Sequence, residues 1–391
     1  MDTFGLLASF WMGGFEGSDH INGQGEALDM QRASGHLAQM EADYRRAAAA
    51  GLLSLRESAG WRLCEPASGS FDFSRVERMA WSARRSGVQL LWSLMHYGLP
   101  ADLSLHDDAL IERFARFAGE FASVLKPLSL GPPIYTPVNE IGYLAWMASQ
   151  PHLLAPPNNT AGDSPESSLI SGYTVKRRLV RAALAAIEAI RAVDGRARFL
   201  HVEPVCHVVA PQDQPELSER AAEVRGWQWQ AWDLLSGRIE PSLGGSPDAL
   251  DLLGINHYHS SQWEVGTEKR LAWHLCDPRR LPLATLLQET WQRYGRPLLI
   301  AETGHVGSGR AEWLNDMAAQ ARHARTELGV PLLGLCLYPL VDRPDWNEPL
   351  RWHESGLWQV DPLSLCRSAV PPYLRALQTW QSEWPAAPAR A

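Results

Sequence analysis

Lysine is nearly absent: Lys126, Lys176 and Lys269 are the only three among 36 basic residues, so the positive charge rests on arginine. Acidic residues outnumber basic ones and leave a net charge of −8, which argues against a general nucleic-acid binder, whose affinity rests on neutralising phosphates. No run of about 18 uncharged apolar residues occurs, which excludes a membrane-spanning helix. Cysteine is sparse. Cys64, Cys206, Cys276, Cys336 and Cys366 lie far apart, with no zinc-ligand spacing and no disulfide framework. Cys206 and Cys336, inside apolar runs, read as buried thiols. The start, Met1-Asp2-Thr3-Phe4-Gly5, lacks the basic opening of a secretory signal, so a cytoplasmic protein is expected.

What is present is ample core material: 391 residues, 45% of them apolar, with 17 tryptophans, a residue suited to surfaces where a flat apolar face meets polar groups. Short apolar runs predict strands at Leu6–Gly13, Leu52–Glu57, Val88–His96, Ile134–Glu140, Phe199–Val205, Leu250–Tyr258, Leu298–Glu302 and Leu332–Leu340. Several are continuously apolar, as parallel strands covered on both faces must be. Between them, helical spacing of apolar residues predicts helices over Ala109–Leu125, Tyr173–Val193, Ala221–Ser236 and Ala311–Leu328. Asp107-Asp108 and Ser308 are candidate helix starts, and Gly87, Gly195 and Gly329 candidate helix ends.

Eight strands alternating with helices predict a closed (β/α)8 TIM barrel, class α/β. A doubly wound sheet is the alternative, but Gly13-Gly14 is followed by Phe15-Glu16-Gly17, which does not form a phosphate cradle. No low-complexity linker splits the chain, so a single barrel is expected over 1–384, with a short flexible tail, Pro385–Ala391. Pro151–Ser167 reads as a long loop overhanging the mouth of the barrel.

In such a barrel the chemistry belongs at strand C-terminal ends. Polar residues interrupt the apolar runs there: Arg56 and Glu57, His96, Asn139-Glu140, Glu203, Asn256-His257-Tyr258, Glu302 and Asp342. Glu140 and Glu302 end strands on roughly opposite sides of the ring. Paired carboxylates across a cleft are what glycosidic cleavage requires, one giving a proton and one attacking. A metal-assisted hydrolase is the competing chemistry, carried by His257-x-His259, His201-x-Glu203 and His207. It lacks the His-x-His expected on the first strand.

The same residues resemble glycoside hydrolase family 1, the retaining β-glycosidases. Asn139-Glu140 resembles that family's Asn-Glu-Pro segment, and Ile300-Ala301-Glu302-Thr303-Gly304 its Ile-Thr-Glu-Asn-Gly. Arg56 through Trp61-Arg62 and Pro66 resembles the second-strand segment, and His96-Tyr97-Gly98-Leu99-Pro100 the third-strand His-Trp segment. Gly254-Ile255-Asn256-His257-Tyr258 is similar to Gly-x-Asn-Tyr-Tyr, and Tyr338 through Trp346 to Trp-Ser-Leu-x-Asp-Asn-x-Glu-Trp. The likeness runs in order from about Gly13 to Asp361.

The resemblance implies an exo-acting β-glycosidase that removes a terminal neutral β-linked sugar by double displacement, with Glu302 as nucleophile and Glu140 as acid/base. It further implies Arg56 and Tyr258 as supports of Glu302. His96, Asn139, Tyr338, Asp345 and Trp346 would bind substrate, with Glu16, Glu203 and Asn256 as secondary candidates. The expected partner is a small glycoside or oligosaccharide, with no cofactor or metal and no nucleic acid or membrane partner. Departures from the family lie at Ile141 for Pro, Pro137 for Thr, Ala301 and Thr303 beside Glu302, Tyr338 for Trp and Asp345 for Glu. A carbohydrate-binding relative with weak turnover, or a transglycosidase, is the alternative these changes leave open.

Overall fold

The computed structural model describes residues 5–150, 152–154, 172–267 and 269–385. Most of the expected Pro151–Ser167 loop and all but Pro385 of the expected tail lie outside them. Eight parallel strands form a closed barrel: β1 Trp11–Gly14, β2 Ser54–Ser58, β3 Gln89–Met95, β4 Ile134–Val138, β5 Arg198–Pro204, β6 Leu252–Asn256, β7 Leu298–Thr303 and β8 Leu332–Leu337. Each strand pairs with its neighbours in sequence, and β1 closes the ring against β8 through Trp11 opposite Leu335. This is the expected architecture, and all eight expected strands are found with shifted ends.

Alternation along the strands separates two apolar layers. Met12, Leu91, Ile134, Val202, Leu252, Leu299 and Cys336 fill the barrel interior. Their neighbours face outward and pack against the helices. The helix Ala109–Leu125 shows why its sequence is helical. Leu110, Phe114, Phe117, Ala118, Phe121, Ala122 and Leu125 recur three or four apart and form its buried face. The helix Gly172–Val193 does the same with small Ala182, Ala183 and Ala186.

Some local expectations are corrected. The stretch Ala221–Ser236 is not one helix. It divides into Ser218–Gly226, a 3-10 turn Trp227–Trp229, and Gln230–Leu235. Gln228 bonds the Arg225 carbonyl through Nε2 and accepts the Cys206 N–H, so its side chain competes with the regular helical ladder. Asp108 stands at the expected helix start, as the N-cap residue of Ala109–Leu125, though its side chain makes no cap bond; Ser308 does not, since Gly309 is the N-cap residue of the helix Arg310–Thr326. Gly87 and Gly329 take the left-handed conformation expected at a helix end, whereas Gly195 is not among the positive-φ glycines. All five cysteines are free, with Cys206 and Cys336 buried as expected. No described helix is long and apolar enough to cross a membrane.

Candidate active site

Arg56 and Glu57 are adjacent on β2 and therefore point to opposite faces. Glu57 faces outward to His36 Nε2 at 2.7 Å and Tyr44 at 2.8 Å. Arg56 faces inward. Its Nη1 lies 2.7 Å from Glu302 Oε1 on β7, and its Nη2 lies 2.8 Å from Asn139 Oδ1 beyond β4. One planar guanidinium thus ties two strand ends together, a geometry that lysine's single ammonium cannot copy. The Tyr338 ring lies 5.6 Å from the same guanidinium. Room for that ring comes from Gly14, where a Cβ would stand 2.6 Å from Tyr338 Cδ2.

Glu302 is buried, and its second oxygen accepts the Tyr258 hydroxyl at 2.7 Å. The end of β7 is fixed from behind by Trp313, whose Nε1 donates to Thr303 Oγ1 at 2.9 Å. A register shift between Ile255 and Asn256 brings Asn256 opposite Glu302 instead of Ala301. Irregularities of this kind beside active sites re-aim side chains.

Glu140 is also buried. Asn256 Nδ2 donates to its Oε1 at 2.8 Å, and Tyr97 donates its hydroxyl to Oε2 at 2.5 Å. The Tyr97 oxygen in turn accepts from Asn139 Nδ2 at 3.3 Å. The two glutamates are therefore joined by one hydrogen-bonded path through Arg56, Asn139 and Tyr97. Burial, and after it the charge of Glu302, push the Glu140 carboxyl up to about 7, against the pull of its two donors.

The remaining candidates divide. His96 is buried, with Nδ1 at 2.9 Å from Ser58 Oγ and Nε2 at 3.3 Å from Asn139 Nδ2. Glu16, on the loop after β1, is buried beside them. Burial pushes its carboxyl up, but Arg343 at 3.2 Å, His96 and the Ser18 N–H outweigh that and hold it below the usual range. Trp346 joins the same wall: its ring lies 5.0 Å from His20, 5.9 Å from Tyr97 and under the Arg343 guanidinium.

Glu203 stands next to this group without joining it. It accepts the Gly142 N–H at 2.9 Å, and burial pushes it up to about 8 against the opposing pull of the neighbouring Lys176. Asp345 departs furthest from expectation. Its Oδ1 accepts the N–H groups of Asn347 and Glu348, and its Oδ2 meets His353 Nε2 at 2.7 Å. The carboxylate is engaged within its own loop.

The histidines of the metal reading do not converge. His257 Nδ1 and His201 Nε2 each meet a backbone carbonyl at 2.9 Å, those of Val205 and Ala249. Among the described residues no three His, Cys, Asp or Glu side chains are grouped to hold an ion. Asp342 is structural, accepting the Gly356 and Val360 N–H groups.

Two contacts escaped the sequence reading, that of Tyr97 with Glu140 and that of Arg343 with Glu16. Tyr97 sits beside His96 in the quoted segment, but only its left-handed backbone, φ 78°, turns the ring toward Glu140. Arg343 was readable as a charge near the mouth, and its pairing with Glu16 depends on a short ribbon, Arg343–Pro344 against Trp352–His353.

No family model matches this sequence, and no curated protein matches it. Solved structures do. A β-glycosidase from Pyrococcus horikoshii superposes with a TM-score of 0.73 over 98% of this chain and 95% of its own, at 17% identity. The family 1 β-glucosidase from Thermotoga maritima gives 0.72 over 89% and 86%, at 15% identity. The β-glycosidase from the hyperthermophile Thermosphaera aggregans gives 0.69 over 89% and 85%, at 19% identity. At such identities the likeness establishes the fold, and the protein has a family 1 β-glucosidase-like (β/α)8 barrel.

Proposed function

We propose that the protein is a retaining exo-β-glycosidase that releases a terminal neutral β-linked sugar from a small glycoside. The observation that carries this reading is the unequal setting of two buried carboxylates in one hydrogen-bonded site. Glu302 meets a guanidinium and a phenol, whereas Glu140 is pushed up to about 7. Environments that drive two carboxyl groups apart assign one to nucleophilic attack and the other to proton donation.

In the first step Glu302 bonds to the anomeric carbon as the glycosidic C–O bond breaks, and Glu140 gives its proton to the departing oxygen. Retaining chemistry of this kind needs the two carboxyl groups about 5–5.5 Å apart. In the second step water adds to the same carbon, the Glu302–carbon bond breaks, and Glu140 takes the proton of the water. Arg56 balances the charge that returns to Glu302. Asn139 Nδ2, held only by 3.3 Å contacts to His96 and Tyr97, is available to the sugar 2-hydroxyl. Tyr338 and Trp346 offer ring faces to the sugar. Glu16, ionised and paired with Arg343, accepts outer hydroxyls. The β-glucosidase names of the structural neighbours favour the same class.

The test is turnover of a chromogenic β-glycoside panel followed by trapping with the matching 2-fluoro sugar and peptide mapping. Label on Glu302 is expected. Label on a different acid overturns the assignment of roles, and binding without turnover on every sugar favours a carbohydrate-binding relative.

A further inference from the structure

The Tyr97–Glu140 contact is not used by the double displacement itself. Tyr97 follows β3 and is buried, its ring 5.7 Å from Tyr143 and 5.9 Å from Trp346. Its hydroxyl donates to Glu140 Oε2 and accepts from Asn139 Nδ2, so both the lone pair and the proton have fixed directions. Donor and acceptor residues share a further feature. Tyr97 has φ 78° and Glu140 φ 49°, the left-handed region that non-glycine residues avoid. Strain at both ends of one hydrogen bond is the pattern of a contact kept for function.

We propose that Tyr97 is a positioning residue that sets the proton affinity of Glu140, its hydroxyl donating to the carboxylate form so that the acid regains its basicity only within the working range. The inference rests on the glycosidase reading and deepens it. It also gives meaning to the change from Trp to Tyr in the His96-Tyr97 segment, since a phenol places an oxygen where Glu140 needs a donor.

The other groups that bear on Glu140 act in both directions. Glu302 from β7 and Glu203 from β5 oppose its ionisation, while Arg56 from β2 favours it. Tyr143 and Tyr258 are neighbouring phenols, pushed up first by burial. Lys176 reaches this group only through Glu203. Burial, and then Glu140 itself, push the Tyr97 phenol well above its ordinary value, so it keeps its proton and remains a donor throughout the range in which Glu140 titrates. Removing it takes a donor from the charged form of Glu140, which must raise the pH at which that carboxyl ionises.

The experiment is a carbon-13 NMR titration of protein labelled at the glutamate side-chain carboxyl, with Glu140→Gln to assign the resonance. Tyr97→Phe is expected to move the Glu140 midpoint upward by about one pH unit, and the alkaline limb of kcat/KM by the same amount. An unchanged or lowered midpoint overturns the inference. If the Phe variant does not fold, Tyr97→Met removes the same hydroxyl with a flexible filler. The titration does not need turnover. A shifted midpoint in a protein that hydrolyses no β-glycoside would sustain the role of Tyr97 as a tuning residue while removing the glycosidase reading. A normal 2-fluoro label on Glu302 with an unshifted midpoint would do the reverse.

Discussion

Asn256 donates Nδ2 to Glu140 Oε1 at 2.8 Å and stands opposite Glu302 in the β6–β7 register. One residue at the end of β6 therefore spaces both acids, gripping one by its side chain and flanking the other by its backbone. The His257 N–H that follows it bonds the Glu302 carbonyl at 2.9 Å, which fixes the same strand end a second time. Such a site is built at and just beyond the strand ends of the barrel, a frame suited to holding two reacting groups at a defined separation.

The pH dependence follows from Glu140. A proton donor must be protonated when substrate arrives, and burial with the Glu302 charge pushes Glu140 up to about 7. Activity is expected to hold below that value and fall about tenfold per pH unit above it, read as kcat/KM against pH. Glu140→Gln is expected to abolish that limb and to slow glycosides of poor leaving groups far more than those of good ones.

Arg56 holds Glu302 with one nitrogen and Asn139 with the other, both bonds being 2.8 Å or shorter. Arg56→Lys keeps the charge and loses the fork. The expected result is a fall in kcat of about 100- to 1000-fold, the size seen when one oriented donor at a reacting charge is removed. KM should change much less. A kcat within a few-fold of the parent would show that charge alone, without the bridge to Asn139, serves Glu302.

Much of this was readable from the residues, for physical reasons. Parallel strands covered on both sides are largely apolar, so the runs 298–301 of β7 and Leu332–Leu337 of β8 announce themselves, and the polar Glu302 that ends the first marks the mouth of the barrel. Arg56, Glu140, Asn256, Tyr258 and Glu302 meet in space because closure brings strand ends together whatever their separation in sequence. Residue type suggests a hydroxyl acceptor at Asp345, while the Asn347 and Glu348 N–H groups that engage it are a matter of local turn geometry that residue type does not carry. The contact of Tyr97 with Glu140 was missed because φ is not written in a side chain. The broken helix around Gln228 was missed because a side chain outcompeted the ladder at one point, which periodicity averages away.

Gly14 supplies a test of the Tyr338 wall. A methyl group there would stand 2.6 Å from Tyr338 Cδ2 and 3.3 Å from Arg56 Cβ. Gly14→Ala must displace the ring and strain the Arg56 stem, at a cost of about 1–3 kcal/mol. The expected outcome is a lower melting temperature together with a raised KM, measured on the same preparation. A drop in melting temperature with KM unchanged would separate Tyr338 from substrate binding.

Beneath the site, His36 forms the hub of a buried cluster on the outer face of β2. Its Nδ1 lies 2.9 Å from Asp43 and its Nε2 2.7 Å from Glu57, and its ring stacks on Phe15 at 3.7 Å. Burial lowers the proton affinity of the ring, but Glu57 and Asp43 outweigh it and raise His36 to about 9. A folded-state value above the unfolded one of about 6.5 means that the native protein binds the proton more tightly. The stabilisation is therefore complete below about pH 6.5 and is lost as pH rises toward 9. Its size is on the order of 3 kcal/mol, from about 1.4 kcal/mol per unit. Unfolding free energy measured by denaturant titration should decline across that window. His36→Gln should flatten the decline and, by leaving Glu57 and Asp43 without their shared cation, lower stability at pH 6.5 by about 3–5 kcal/mol. Parallel curves for parent and variant would remove the imidazolium from the cluster and leave a neutral histidine between Asp43 and Glu57.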